Sequence, residues 1–153
     1  MVKPPPHAPQ KSLKVAVPVR FGDTDPYGVV YFASYFRYCH HGIEELLRHV
    51  GCPPHEYFRN PERGFGLPIV GASCDFLRPV RYGDHLTLFV SVLRLGARSV
   101  TFGFHFYLQG SPECVGRGQA SMTAIDRTWR SCQLPEELRN GLEPYLASEA
   151  VDR

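Results

Sequence analysis

The stretch RFGDTDPYGVVYF, residues 20–32, holds the chain's strongest candidates for chemistry. Two carboxylates, Asp23 and Asp25, stand among the turn formers Gly22, Pro26 and Gly28, just ahead of a helical pattern. The first backbone N–H groups of a helix lack partners and carry partial positive charge. They can stabilise an oxyanion developing on a carbonyl while a neighbouring carboxylate attacks it or activates water. Asp is also a common helix cap and turn residue, so both aspartates have a purely structural alternative. The D-T-D-P-Y-G run imitates the start of a calcium loop. Its fifth position is Tyr27, however, and its twelfth is Ser34, where such a loop needs a bidentate Glu. A D-x-D after a strand also suggests an aspartyl-phosphate enzyme, but that chemistry needs a parallel sheet, and the later strands look antiparallel.

The elements that must position this cluster follow from periodicity. Leu13, Val15, Val17, Val19 and Phe21 alternate as a half-buried strand, with Pro18 placing part of it on an edge. After the cluster, Phe36, Cys39, His40, Ile43, Leu46, Leu47 and Val50 share one face at helical spacing. Ser34, Arg37, His41, Glu44, Glu45 and Arg48 fall mostly on the other. Gly51 and Pro53–Pro54 stop this one long helix. Strand patterns follow at Val70–Ala72–Cys74–Phe76, at Leu86–Leu88–Val90–Val92 and at Val100–Phe102–Phe104–Phe106–Leu108. A last strand is expected over residues 115–129, with Gly116 and Gly118 marking a bulge, and a short helix over residues 135–146. Short turns imply antiparallel neighbours, and one helix must cover one sheet face, so the class is α+β.

Composition bounds the function. The chain has 153 residues, 43% hydrophobic and 21% charged, which suits one globular domain, expected over residues 13–153 behind a flexible tail of residues 1–12. A net charge of +2 with scattered Lys and Arg argues against nucleic acid. No run of about 18 apolar residues predicts a membrane span. The proline-rich start lacks the apolar stretch of a secretory signal, so a cytoplasmic protein is expected. Five cysteines without a C-x-x-C pair suggest reduced, incidental thiols and no zinc site.

The stretch FGDTDPYGVVYFASYFRY resembles the signature of the 4-hydroxybenzoyl-CoA thioesterase family, roughly F-G-D-x-D-x-x-G-V-V-Y-[FW]. The similarity continues through ERGFGLPIVGASCDFLRPVRYGD and covers residues 15–127. This resemblance implies a hotdog fold, in which a curved antiparallel sheet wraps the long helix. It also implies a homodimer or homotetramer with the active site at the subunit interface. On this resemblance Asp25 matches the catalytic carboxylate and the Phe32 amide matches the N–H that polarises the thioester carbonyl, while Asp23 is left as a turn or cap residue. Attack by Asp25 and general-base activation of water both remain open. Thiolate leaves readily, so no strong general acid is required, and neither a metal nor a cofactor is expected.

Departures from the family pattern bear on the acyl group. His40 stands where the 4-hydroxybenzoyl branch has a carboxylate, and Leu67 where it has a threonine. The Cys39–His40 pair and Leu67–Pro68 look more like hydrolases of 1,4-dihydroxy-2-naphthoyl-CoA. Tyr27, Tyr31 and Tyr35 are candidates to line the acyl pocket. Arg98, with Arg94 nearby, stands where some relatives carry a basic triplet for the CoA phosphates. A short- or medium-chain acyl-CoA or acyl-carrier-protein thioesterase is the alternative within the class. A hotdog protein that binds an acyl-CoA without turnover is the alternative outside it.

Overall fold

A computed structural model describes residues 8–9 and 11–147. Most of the expected tail, residues 1–7 and 10, lies outside the described residues, as do residues 148–153 at the end of the expected domain. Strand β1 (Leu13–Pro18) leads through a single 3₁₀ turn, Phe21–Asp23, to helix α1 (Phe32–His49). Then come α2 (Pro54–Tyr57), β2 (Arg59–Asn60), β3 (Phe65–Gly66), β4 (Ile69–Phe76), β5 (His85–Leu95), β6 (Ser99–Leu108), β7 (Cys114–Thr123) and α3 (Glu136–Leu142). Five strands form one antiparallel sheet in the order β1-β5-β6-β7-β4, and β2 pairs with β3 separately. A long helix against a curved antiparallel sheet is the expected α+β arrangement.

One expectation about connectivity fails. β5, β6 and β7 follow one another as hairpins, but β4 does not pair with β5; it lies at the far edge against β7, with Ala72 opposite Ala120. The place beside β5 is taken by β1, with Val15 opposite Leu88. Residues 77–84 therefore cross the end of the sheet. Their polar groups find partners on three other segments: the amides of Leu77 and Arg78 donate to the Val115 carbonyl, the Val80 carbonyl accepts from Val30, and the Asp84 carbonyl accepts from Val19. This crossing runs directly past the start of α1. The topology thus builds a wall opposite the helix terminus.

The buried face of α1 is also rotated from the expected one. Tyr35, Tyr38, Cys39, Gly42, Ile43, Leu46 and Leu47 are buried, whereas Phe36 and His40 sit half-buried at the border and Ser34 is fully buried. Tyrosine can join the apolar stripe when its hydroxyl has a partner, as Tyr38 has in Asp23. Ser34 is tolerated inside because its hydroxyl donates to the Asp23 carbonyl at 2.9 Å. The stripe packs on Leu86, Leu88, Val90 and Val92 of β5 and Val100, Phe102, Phe104 and Phe106 of β6. Each large side chain buried there contributes about 1.5–3 kcal/mol. Gly42 sets the closeness of approach, since a Cβ there would lie 2.8 Å from Val90 Cγ2 and 2.9 Å from Leu88 Cδ2.

The last strand stops at Thr123, short of the expected 129, because the Asp126 carboxylate accepts from the amides of Thr128 and Arg130 and folds a turn there. That turn holds Trp129 at φ 64. A bulge is present beside Gly116 but not at Gly118: Phe106 pairs with Gly116 and Tyr107 with Cys114, so Val115 has no opposite residue on β6, while Gly118 pairs regularly with Phe104. The expected terminal helix is split into α3 and a 3₁₀ turn, Glu143–Tyr145, with Pro144 in the latter.

Candidate active site

Asp25 opens a turn whose residue types explain it. The Gly28 amide donates to the Asp25 carbonyl at 2.9 Å, Pro26 takes the second position, and Gly28 has φ 79. Pro at the second position and Gly at the fourth suit such a turn, and Gly meets the positive φ without a steric cost. The carboxylate is held by its own loop: Oδ1 accepts from Tyr27 N at 2.9 Å and Val29 N at 3.4 Å. Oδ2 has no hydrogen-bond partner among the described residues. The carboxylate is thus fixed in direction through Oδ1.

Asp23 behaves differently. Its Oδ2 accepts from the Tyr38 hydroxyl at 2.8 Å and the Arg20 amide at 3.0 Å, and Oδ1 accepts from Arg37 at 3.2 Å. Its carbonyl accepts from Tyr31 N and Ser34 Oγ. Asp23 ties the loop to the first two turns of α1. Burial, reinforced by the Asp23 hydrogen bond, pushes the Tyr38 hydroxyl well above its ordinary range, so it stays a donor.

Helix α1 begins at Phe32 behind Tyr31, without a side-chain cap. The amide of Phe32 has no hydrogen-bond partner among the described residues, which leaves a donor at the positive end of an 18-residue helix. Asp25, Tyr31, Phe32 and Tyr35 line one cavity of about 380 Å³, closed on the other side by Phe76 and the crossing segment from Leu77 to Val80. Aromatic rings dominate it: Tyr31 and Phe32 have ring centroids 4.4 Å apart, and Tyr35 and Phe76 4.9 Å apart. Burial raises the Tyr35 phenol to about 12, so it remains neutral. The lining of this cavity thus contains both a carboxylate and the residue at the helix N-terminus. One such donor aimed at a developing oxyanion is worth about 2.7–4 kcal/mol of barrier.

The structure thus brings together Asp25, Phe32 and Tyr31, with Tyr35. It does not bring His40, Leu67 or Arg98 into this cavity within one chain. His40 lies eight residues along α1 from Phe32, about 12 Å away. Its Nδ1 is 3.1 Å from Glu44 Oε1 and its ring is 5.1 Å from that of Phe58. Phe58 and Leu67 line a second cavity of about 480 Å³, rimmed by Arg59, Arg127 and Trp129. Leu67 is 2% exposed, so its side chain is already taken up by the core. Arg98, beside the β5–β6 turn, donates to Ser131 Oγ at 3.1 Å. Tyr27 is 91% exposed and turned out to solvent. The crossing wall from Phe76 to Val80 was not legible as part of a site. Its one sequence signal, Pro79 beside the Tyr82–Gly83–Asp84 turn, marks only the break in a strand.

Among the described residues no helix is long and apolar enough to cross a membrane, and no group of three or more His, Cys, Asp or Glu side chains converges on a metal-sized site.

Known proteins give the geometry a family. The chain is 34% identical over 151 residues to a 1,4-dihydroxy-2-naphthoyl-CoA hydrolase of Prochlorococcus marinus (strain MIT 9303), covering 95% of this chain and 96% of that one. It is 37% identical over 126 residues to the enzyme of that name from Nostoc punctiforme, covering 82% of each. The crystal structure of a 1,4-dihydroxy-2-naphthoyl-CoA thioesterase from Synechocystis superposes with TM-score 0.79 at 25% identity, over 86% of this chain and 95% of that one. The shared architecture is the hotdog fold. The family model of the thioesterase-like superfamily matches residues 19–142, which carry the Asp25 loop, the whole of α1 and all but the first strand of the main sheet, and the chain belongs to that superfamily.

Proposed function

We propose that this protein hydrolyses an aromatic acyl-CoA thioester, 1,4-dihydroxy-2-naphthoyl-CoA, in the cytoplasm as a step of quinone biosynthesis. The observation that carries this is the pairing of a loop-fixed Asp25 carboxylate with the unpartnered Phe32 amide inside one aromatic-walled cavity. Relatives that align over 95% and 82% of the chain bear that substrate's name.

The Phe32 amide receives the carbonyl oxygen as it gains charge. Asp25 Oδ2 either attacks the carbonyl carbon or takes a proton from the attacking water. In both cases the tetrahedral intermediate expels the CoA thiolate, and attack by Asp25 leaves an anhydride that water then opens. His40 addresses a ring hydroxyl. With Nδ1–H directed to Glu44 in the neutral ring, Nε2 is the acceptor left for the substrate. Leu67 supplies apolar surface and Arg98 a cation for the CoA phosphates.

A homodimer or homotetramer completes the site. β4 is exposed along most of its length, with one backbone edge unpaired, and Ile69, Val70 and Phe76 are exposed. Such an edge favours pairing with a second copy. Two aromatic residues lining the cavity, Tyr31 and Phe32, are 43% and 54% exposed, more than an isolated chain covers well.

The test is thiol release from a panel of acyl-CoAs, with light scattering on the same sample. Turnover is expected to be fastest for dihydroxynaphthoyl-CoA, in a dimer or tetramer. Binding without thiol release would mark a non-catalytic acyl-CoA protein. A preference for aliphatic or acyl-carrier-protein thioesters would remove the aromatic assignment, and a micromolar monomer would remove the shared site.

A further inference from the structure

Two of the five cysteines meet across the fold, although nothing in their spacing forecast it. Cys39 on α1 and Cys74 on β4 place their sulfur atoms 3.8 Å apart. No other cysteine pair is in hydrogen-bond contact among the described residues. Gly118, opposite Cys74 on β7, makes room for this contact, since a Cβ there would lie 2.7 Å from the Cys74 sulfur. The two thiols are not equivalent. Cys39 is 4% exposed and its thiol is held far up, first by the contact with Cys74 and then by burial. Cys74 is half-buried and its thiol is pushed down by that same contact, against burial and the neighbouring Asp75. Within one chain Cys74 is thus the less buried of two cysteines whose sulfurs are already in contact.

We propose that Cys39 and Cys74 form an oxidation site that closes to a disulfide and deforms the catalytic cavity. Hydrogen peroxide is the oxidant. The Cys74 thiolate attacks one peroxide oxygen, giving the sulfenic acid and hydroxide. The Cys39 sulfur then attacks the Cys74 sulfur and displaces hydroxide, which leaves as water with the Cys39 proton. Two thiols are oxidised to one disulfide and one peroxide is reduced to two waters. Bonding the two sulfurs, now 3.8 Å apart, at about 2.05 Å ties α1 covalently to β4. Tyr35, one helical turn before Cys39, and Phe76, two residues after Cys74, form facing walls of the Asp25 cavity. Displacements of about 1 Å at such a site can cost about 100-fold in rate.

The activity arm rests on the proposed thioesterase reading; the crosslink arm does not. The full chain in its native oligomeric state is treated with hydrogen peroxide, unfolded, alkylated and weighed, and its peptides are mapped. The expected result is two fewer alkylated thiols, with Cys39 and Cys74 in one crosslinked peptide. Thiol-releasing turnover should fall at least tenfold and return with dithiothreitol. Cys74→Ser and Cys39→Ser should each abolish the crosslink, and peroxide-treated Cys74→Ser should keep its turnover. Five alkylatable thiols after treatment, Cys74 driven to sulfinic acid without a crosslink, or a bond mapped to Cys114 or Cys132 would each overturn the proposal. Unchanged turnover in fully crosslinked, active protein would overturn the link to the cavity. If the reduced protein releases no thiol from any acyl-CoA, it is the thioesterase reading that fails, and the mass result alone decides the crosslink.

Discussion

Replacing Asp23 with Asn separates scaffolding from chemistry within one three-residue motif. The Asp23 carboxylate receives the Tyr38 hydroxyl at 2.8 Å, the Arg20 amide at 3.0 Å and Arg37 at 3.2 Å, with its side chain 17% exposed. A hydrogen bond to a charged partner contributes about 1.5–3 kcal/mol. The Arg37 pair adds little, about 0.2–1 kcal/mol, because Arg37 is 65% exposed. Asn keeps one acceptor and loses the charge, so a destabilisation of about 2 kcal/mol is expected. For a chain of this size that lowers Tm by roughly 4–8 °C. Tyr38→Phe should cost about 1–2 kcal/mol. The double variant should fall short of the sum by at least about 0.5 kcal/mol, because both changes break one contact. Urea or thermal unfolding at fixed protein concentration measures all three, with concentration held constant since an oligomer's Tm depends on it. Turnover in Asp23→Asn should stay within tenfold of wild type. An unchanged Tm with abolished turnover would show that Asp23 carries chemistry and that its role as an anchor is wrong.

Alkaline pH should unfold the protein through buried phenols. Tyr35 and Tyr57 are each pushed from 10.0 to about 12, chiefly by burial. Between these values the unfolded chain has released protons that the folded chain still binds, so stability present below pH 10 is lost as pH rises towards 12. Thermal melts over that range should fall steeply, with part of the tyrosinate absorbance appearing only on unfolding; a flat Tm with every tyrosine ionising near pH 10 would contradict this. Gly42→Ala gains about 1 kcal/mol of helix propensity but forces a Cβ within 2.8 Å of Val90, and such overpacking costs about 1–3 kcal/mol. Net destabilisation is expected by unfolding, and a stabilised variant would show that α1 is not pressed onto β5. His40→Ala should narrow the gap in kcat/KM between hydroxylated and plain aromatic thioesters, and equal gaps in both proteins would return His40 to a packing role.

Local periodicity made most of the fold legible. Val100, Phe102, Phe104 and Phe106 alternate in sequence and are all fully buried on one face of β6. The Asp25 turn was legible because Pro26 and Gly28 are the residues its geometry selects. Sheet order was not, because it depends on which edge the chain returns to. β1 claims the edge of β5 and sends β4 to β7, a long-range choice that the turn chemistry of residues 77–84 does not encode. The helix face was misjudged by one position because Tyr35 and Tyr38 were not counted as apolar, although their rings are 3% and 7% exposed. The Phe76–Val80 wall of the cavity was hidden for the same reason as the sheet order. Those residues meet Asp25 only once β4 is placed.

Single-turnover thiol release by Asp25→Asn, compared with wild type at matched Tm and oligomeric state, tests the central claim most directly. Asn preserves the shape and can still accept the Tyr27 amide that fixes the loop, but it cannot supply a carboxylate to attack or to take a proton. The rate is expected to fall at least about 100-fold, or roughly 2.7 kcal/mol of barrier, with the melting transition unmoved. A variant that keeps more than about a tenth of the wild-type rate, a loss under about 1.4 kcal/mol, would contradict the assignment of Asp25 as the reacting carboxylate.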